Sequence, residues 1–211
     1  MPLPPSALLL DVEGTTTSTA FVTDTLFPYA RERLAAYVPI HREELASILA
    51  GMPPGDPVAT LLGWMDHDAK EPALKEIQGR IWREGYEAGA LAGHVYPDTV
   101  AAFHRWSRAG VPTYIYSSGS VEAQQLLFAH SVEGDLTPML SGYFDTRVGA
   151  KREAASYQAI AAELRTVTPA MLFVSDTPAE VDAARAAGMA AMLIDRDGGR
   201  GDVASLADVL P

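Results

Sequence analysis

No cysteine occurs among the 211 residues. That absence excludes thiol nucleophiles, disulfides and zinc–thiolate sites together. Positive charge is scarce: 16 Lys and Arg stand against 27 Asp and Glu, for a formal net charge of −11 and a sequence pI near 4.8. Such a surface repels nucleic-acid phosphates and anionic lipid, so neither nucleic acid nor a membrane is an expected partner. A small anionic ligand stays open, provided a metal ion or a focused Lys reverses the sign locally. Long apolar runs are missing as well. The run Ala7–Leu10, behind a Pro-rich start without basic residues, fits neither a signal peptide nor a membrane span. A soluble cytoplasmic protein is therefore expected, with a monomer as the default assembly.

What is present suits a globular enzyme. With 48% hydrophobic residues the chain can bury one full core and a modest inserted subdomain. Four short apolar runs, Ala7–Leu10, Thr113–Tyr116, Met171–Val174 and Ala190–Ile194, read as parallel strands covered on both faces. Helical patterns alternate with them: one capped by Asp98 and ending near Gly110, then Val121–Ala129, Arg152–Leu164 and Pro178–Ala187. Strand alternating with helix predicts an α/β fold with a doubly wound, mainly parallel Rossmann-like sheet. Residues 17–95 break the rhythm, with helix after helix and no strand pattern; Asp56-Pro57 and Pro72 each start one. The expected organisation is a core of residues 1–16 and 96–211 with a helical cap inserted at 17–95. An insert after the first strand belongs where open α/β folds bind ligands. Asp197–Asp202 reads as a surface loop.

Three strands end in groups suited to phosphoryl transfer. The first runs into Asp11-Val12-Glu13-Gly14-Thr15, the second into Ser117-Ser118-Gly119-Ser120, the third into Ser175-Asp176, and Lys151 lies between the last two. A carboxylate at the tip of a buried strand is costly unless paired or bound to a cation. Glu13 two residues on strengthens that demand, and Gly14 lets the chain turn sharply. The serine turn opens a helix, where hydroxyls and N–H groups make an anion site. Each has a plainer reading taken alone. Asp176 would cap the helix at Pro178, Glu180 and Asp182 would be solvated first-turn acids, and Lys151 would be an ordinary surface lysine.

The combination resembles the haloacid dehalogenase superfamily: an Asp-x-Asp-x-Thr strand end, a Ser or Thr strand end, a Lys, then an acidic strand end. Asp11, Ser117 or Ser118, Lys151 and Asp176 match in that order, and Glu13 departs from the usual second Asp. That departure, with Leu26-Phe-Pro-Tyr, Tyr114-Ile-Tyr-Ser-Ser-Gly-Ser-Val-Glu-Ala-Gln and Gly142-Tyr-Phe-Asp-Thr, is similar to the acireductone synthase (enolase-phosphatase) branch of methionine salvage, over nearly the whole chain. The resemblance implies a phosphorylated small-molecule substrate, 2,3-diketo-5-methylthiopentyl-1-phosphate, enolised and then dephosphorylated. It implies Asp11 as nucleophile, Glu13 as acid and base, and Lys151 as a catalytic and phosphate-binding ammonium. Ser117 and Ser118 would hold the phosphate, and Asp11, Glu13 and Asp176 would hold Mg²⁺, with Glu13 ligating through carbonyl or carboxylate. An all-oxygen, cysteine-free donor set suits that ion.

Other readings stay open. A sugar-phosphate or phosphoglycolate phosphatase of the same superfamily would use the same core. A signalling receiver module would be shorter and lack the insert, and a metal-free dehalogenase would not need Asp176 beside Asp11. Tyr29, Trp64, Trp82 and Tyr86 are candidates for contact with the methylthio end.

Overall fold

The computed structural model describes residues 5–67, 69 and 71–210; most of the Pro-rich start falls outside them. The described chain forms two compact units, Met1–Thr19 with Ala92–Pro211, and Ala20–Leu91. In chain order, β1 (Ala7–Leu10) is followed by the helices of the second unit, α1 (Phe27–Ile40), α2 (Ala46–Ala50), α3 (Pro57–Asp66) and α4 (Pro72–Glu87). The first unit then resumes with α5 (Pro97–Arg108), β2 (Thr113–Tyr116), α6 (Val121–Ala129), β3 (Gly142–Phe144), α7 (Ala154–Glu163), β4 (Met171–Ser175), α8 (Pro178–Ala186) and β5 (Ala190–Leu193).

The five strands are all parallel, in the order β3-β2-β1-β4-β5. Central β1 pairs with β2 on one side and β4 on the other, and all four of its residues are buried. Near-continuous apolar runs fold this way because both sheet faces are covered and polar side chains have nowhere to go. The chain order reverses at β1, so β1, β2 and β4 meet at the topological switch point, the position beyond whose carboxyl ends open α/β folds bind ligands. Parallel pairing brings those ends to one edge, which carries Asp11, Ser117 and Asp176 there together.

β3 is a strand that the apolar runs do not announce. It has three residues, sits at the sheet edge, and begins at a glycine. Its register sets Gly142 beside Tyr114, and a Cβ there would stand 3.1 Å from the Tyr114 ring. Two further expectations are corrected. Tyr96, not Asp98, is the residue before the first turn of α5, with Pro97 opening the helix. Asp98 instead turns its carboxylate to Arg196, Ser205 and the Leu206 N–H. The helix after Lys151 starts at Ala154 rather than Arg152, because Lys151 and Arg152 form a turn.

In the helical unit Asp56 caps α3 as its sequence suggests, accepting the Val58 N–H at 3.0 Å. Leu34, Leu45, Leu61, Leu74, Ile77 and Ile81 form its core. No strand occurs among the described residues of this unit. No helix among the described residues is long and apolar enough to cross a membrane.

Candidate active site

Asp11 follows β1 directly and is only 5% exposed. Its Oδ1 accepts from the Val12 N–H at 2.7 Å and from the Lys151 ammonium. Lys151 is equally buried and reaches a second carboxylate, Glu180, at 2.7 Å. Burial alone would lower the Lys151 pKa, but the charges of Asp11 and Glu180 outweigh it and hold that pKa above its usual value. The Ser175 hydroxyl bridges the same two acids, 3.2 Å from Asp11 Oδ2 and 2.9 Å from Glu180 Oε2, and accepts from the Thr177 N–H. Glu180 is therefore no solvated first-turn acid. It reads as one in sequence because the cation that draws it inward comes from a loop remote in the chain. Asp182 is exposed, as expected.

Asp176 does not cap α8, since Thr177 holds that position without a side-chain cap bond and the Asp176 Oδ1 accepts from the Thr177 hydroxyl. Burial, and then the charge of Asp11, push the Asp176 carboxyl above the usual carboxylate range. Its N–H donates to the Thr15 hydroxyl at 3.0 Å. Thr15 is held from its other side by Arg196, whose Nε and Nη2 both donate to the Thr15 carbonyl. Arg196 stacks over Tyr96 at 4.2 Å and pairs with Asp98. Arg196 was not a sequence candidate; nothing local separates it from other loop arginines.

Asp11 and Glu180 pair with one ammonium and Asp176 adds its charge beside Asp11, leaving two negative charges when all are ionised. Such an excess among buried groups would be relieved by a divalent cation. Among the described residues no three His, Asp or Glu side chains gather as a metal cluster. A third protein ligand beside Asp11 and Asp176 would then be a main-chain oxygen, the role open to Glu13. Glu13 lies in the turn after β1, half-buried, in a parallel bridge with Thr17.

At the end of β2, Ser117 is buried and its Oγ accepts the Gly119 N–H at 3.1 Å, which leaves its own proton to donate. Ser118 is exposed beside it. The amide groups of the turn are less available than the motif suggests. Val121 N–H goes to Asp145 Oδ2 and Ala123 N–H to the Ser120 hydroxyl, so helix capping consumes donors expected to face an anion. Gln124, the last residue of the serine motif, donates to the Gly119 and Phe144 carbonyls at 2.9 Å each and ties the turn to the end of β3.

Of the aromatic candidates in the helical unit, Tyr86 is buried in the core. Trp82 donates to the Leu26 carbonyl at 2.8 Å. Tyr29 lies so close to Gly85 that a Cβ there would be 2.7 Å from its ring. Trp64 lines a groove of the helical unit with Met52 and Glu76.

The haloacid dehalogenase-like hydrolase model matches residues 5–188. A protein of Azotobacter vinelandii named enolase-phosphatase E1 is 48% identical, covering 95% of this chain and 93% of its own. A Granulibacter bethesdensis protein of the same name is 49% identical over 94% and 88%. Among solved structures, the Unknown transcript 4 protein of Saccharomyces cerevisiae superposes with a TM-score of 0.81 at 33% identity, covering 94% of this chain and 96% of its own.

Proposed function

Because the chain belongs to the haloacid dehalogenase-like hydrolases, in the branch named enolase-phosphatase E1, we propose that it converts 2,3-diketo-5-methylthiopentyl-1-phosphate to an acireductone. Enolisation comes first and dephosphorylation through an aspartyl-phosphate on Asp11 second. The observation that carries the phosphatase half is the buried Asp11 carboxylate at the sheet's switch point, held by Lys151 and Ser175 and set against Asp176.

Asp11, Asp176 and the Glu13 main-chain oxygen would hold Mg²⁺, which neutralises the excess negative charge and lets an anionic ester approach. Ser117 and Ser118 donate to the phosphoryl oxygens, and Lys151, with two of its three N–H groups on Asp11 and Glu180, turns the third to them. An Asp11 carboxylate oxygen forms the new bond to phosphorus while the bond to the ester oxygen breaks. Glu13 removes the proton from the carbon bearing the phosphate ester and keeps it. The electron pair moves onto the neighbouring carbonyl oxygen, which takes a proton from solvent, and Glu13 then gives its own proton to the departing oxygen. Water then attacks phosphorus, Glu13 accepts its proton, and Asp11 is released with inorganic phosphate. Lys151, Ser175 and Val12 N–H hold the Asp11 carboxylate through both steps.

The experiment is phosphate release from the diketone phosphate, with enol absorbance followed in the same sample, with and without Mg²⁺. Enol followed by phosphate, both dependent on Mg²⁺, supports the reading. Turnover of sugar phosphates or phosphoglycolate in its place would assign the chain to a generic phosphatase.

A further inference from the structure

Lys151 sits on the loop between β3 and α7, where neither sheet nor helix holds the backbone. Three consecutive carbonyls of this loop are nonetheless fixed from three directions. The Tyr116 hydroxyl donates to the Gly149 carbonyl at 2.9 Å, the Ser156 hydroxyl to Ala150 at 2.7 Å, and the Tyr157 hydroxyl to Lys151 itself at 2.6 Å. All three donors are buried. The fit is tight: Gly149 has φ +145°, and a Cβ there would fall 2.2 Å from the Ser156 Oγ.

We propose that Tyr157, Ser156 and Tyr116 are positioning residues that clamp the 149–151 carbonyls and so hold the Lys151 ammonium between Asp11 and Glu180. This rests on the reading of Asp11 and Lys151 as reacting groups. A lysine side chain has four methylenes and loses much rotamer freedom when fixed. Its ammonium can be held at one point only if the backbone beneath it is held too. A phenol on a packed ring suits that work, because two torsions set the hydroxyl position. The Tyr157 ring packs edge-on against Tyr116 at 5.7 Å and against Phe173 at 5.1 Å. Tyr116 ends β2 just before Ser117, and Phe173 lies in β4 just before Ser175 and Asp176. The clamp is thereby anchored to the two strands that deliver the other site residues. Burial raises the pKa of both phenols, so each stays a neutral donor.

The rival account is that buried tyrosines simply need partners. Both accounts expect Tyr157→Phe to lose some stability; only the clamp routes its effect on catalysis through Lys151. The test is a double-mutant cycle of Tyr157→Phe with Lys151→Ala. Phosphate release from p-nitrophenyl phosphate is followed at enzyme excess with saturating Mg²⁺, and thermal midpoints are recorded beside it. The clamp predicts about a tenfold loss for Tyr157→Phe, roughly 1.4 kcal/mol of activation free energy, and no further loss in the Lys151→Ala background. The same factor in both backgrounds, or a fully active Tyr157→Phe, would overturn it. Should Tyr157→Phe fail to fold, Ser156→Ala takes its place in the cycle with the same two outcomes. Undiminished turnover by Lys151→Ala would overturn the catalytic reading of Lys151, and the clamp with it.

Discussion

Gly14 is packed so closely against Asp176 that a Cβ at position 14 would stand 2.0 Å from Asp176 Oδ2. Its φ of +71° is also one that only glycine adopts without strain. The glycine after Glu13 therefore does two things: it turns the chain out of β1, and it leaves room for the second acid. Gly14→Ala should displace the Asp176 carboxylate and weaken Mg²⁺ binding at least tenfold. It should also cost about 1–2 kcal/mol of stability from the left-handed backbone alone. Mg²⁺ titration and a denaturation midpoint check both; unchanged Mg²⁺ affinity would contradict the assignment of Asp176.

The raised pKa of Asp176 gives a pH dependence with a defined sign. A carboxylate whose folded pKa lies above its unfolded value binds its proton more tightly when folded. Its contribution to stability is thus present at low pH and lost as pH rises through the folded pKa. Mg²⁺ bound as proposed would relieve the repulsion that appears above that point, and its binding would displace the proton. The rise in thermal midpoint on adding Mg²⁺ should be larger at pH 7 than at pH 5. Differential scanning fluorimetry at the two pH values measures it; an equal rise at both would contradict the Asp11–Asp176 coupling.

Glu180 should matter although, among the described residues, its carboxylate bonds to Lys151 and Ser175 rather than to the proposed reacting atoms. Glu180→Ala leaves Lys151 paired with Asp11 but removes a buried acceptor of both the ammonium and the Ser175 hydroxyl, so it should destabilise the fold by about 1–3 kcal/mol. Glu180→Gln keeps the hydrogen bonds while dropping the charge. It should retain most of the stability and lose roughly tenfold in phosphate release, since Lys151 is then drawn to Asp11 alone. Urea denaturation and turnover separate the two effects, and full turnover in both variants would remove Glu180 from the site.

Much of this is legible in the amino-acid sequence itself. The strands β1, β2, β4 and β5 announce themselves because a strand buried on both faces needs an unbroken apolar run, and parallel pairing then brings their ends together. β3 escapes because three residues opening on a glycine carry no such run. Glu180 and Arg196 escape for another reason. Their environments are made by partners far away in the chain, Lys151 for one and Thr15 with Asp98 for the other, and periodicity reports only local order. Gln124 stood in the serine motif without a role until β3 gave it the Phe144 carbonyl to hold.

In the proposed substrate the carbon that loses its proton on enolisation also bears the oxygen that leaves on dephosphorylation, so one carboxylate, in this proposal Glu13, would reach both. Glu reaches about one methylene further than Asp, a useful margin when donor–acceptor reach is roughly 2.6–3.2 Å. If a single carboxylate performs both transfers, Glu13→Gln should lose enol formation and phosphate release together. Enol absorbance at the wild-type rate in Glu13→Gln would place the enolisation base elsewhere.

The most direct test of the account is phosphate release from the diketone phosphate by Asp11→Asn enzyme, with Mg²⁺ binding verified and enol absorbance recorded in parallel. With Asp11 as nucleophile and Glu13 intact, phosphate release should fall by on the order of 10⁴-fold or more, the scale of losing a nucleophile, while the enol phosphate accumulates. Phosphate released at the wild-type rate would show that no bond to Asp11 is needed.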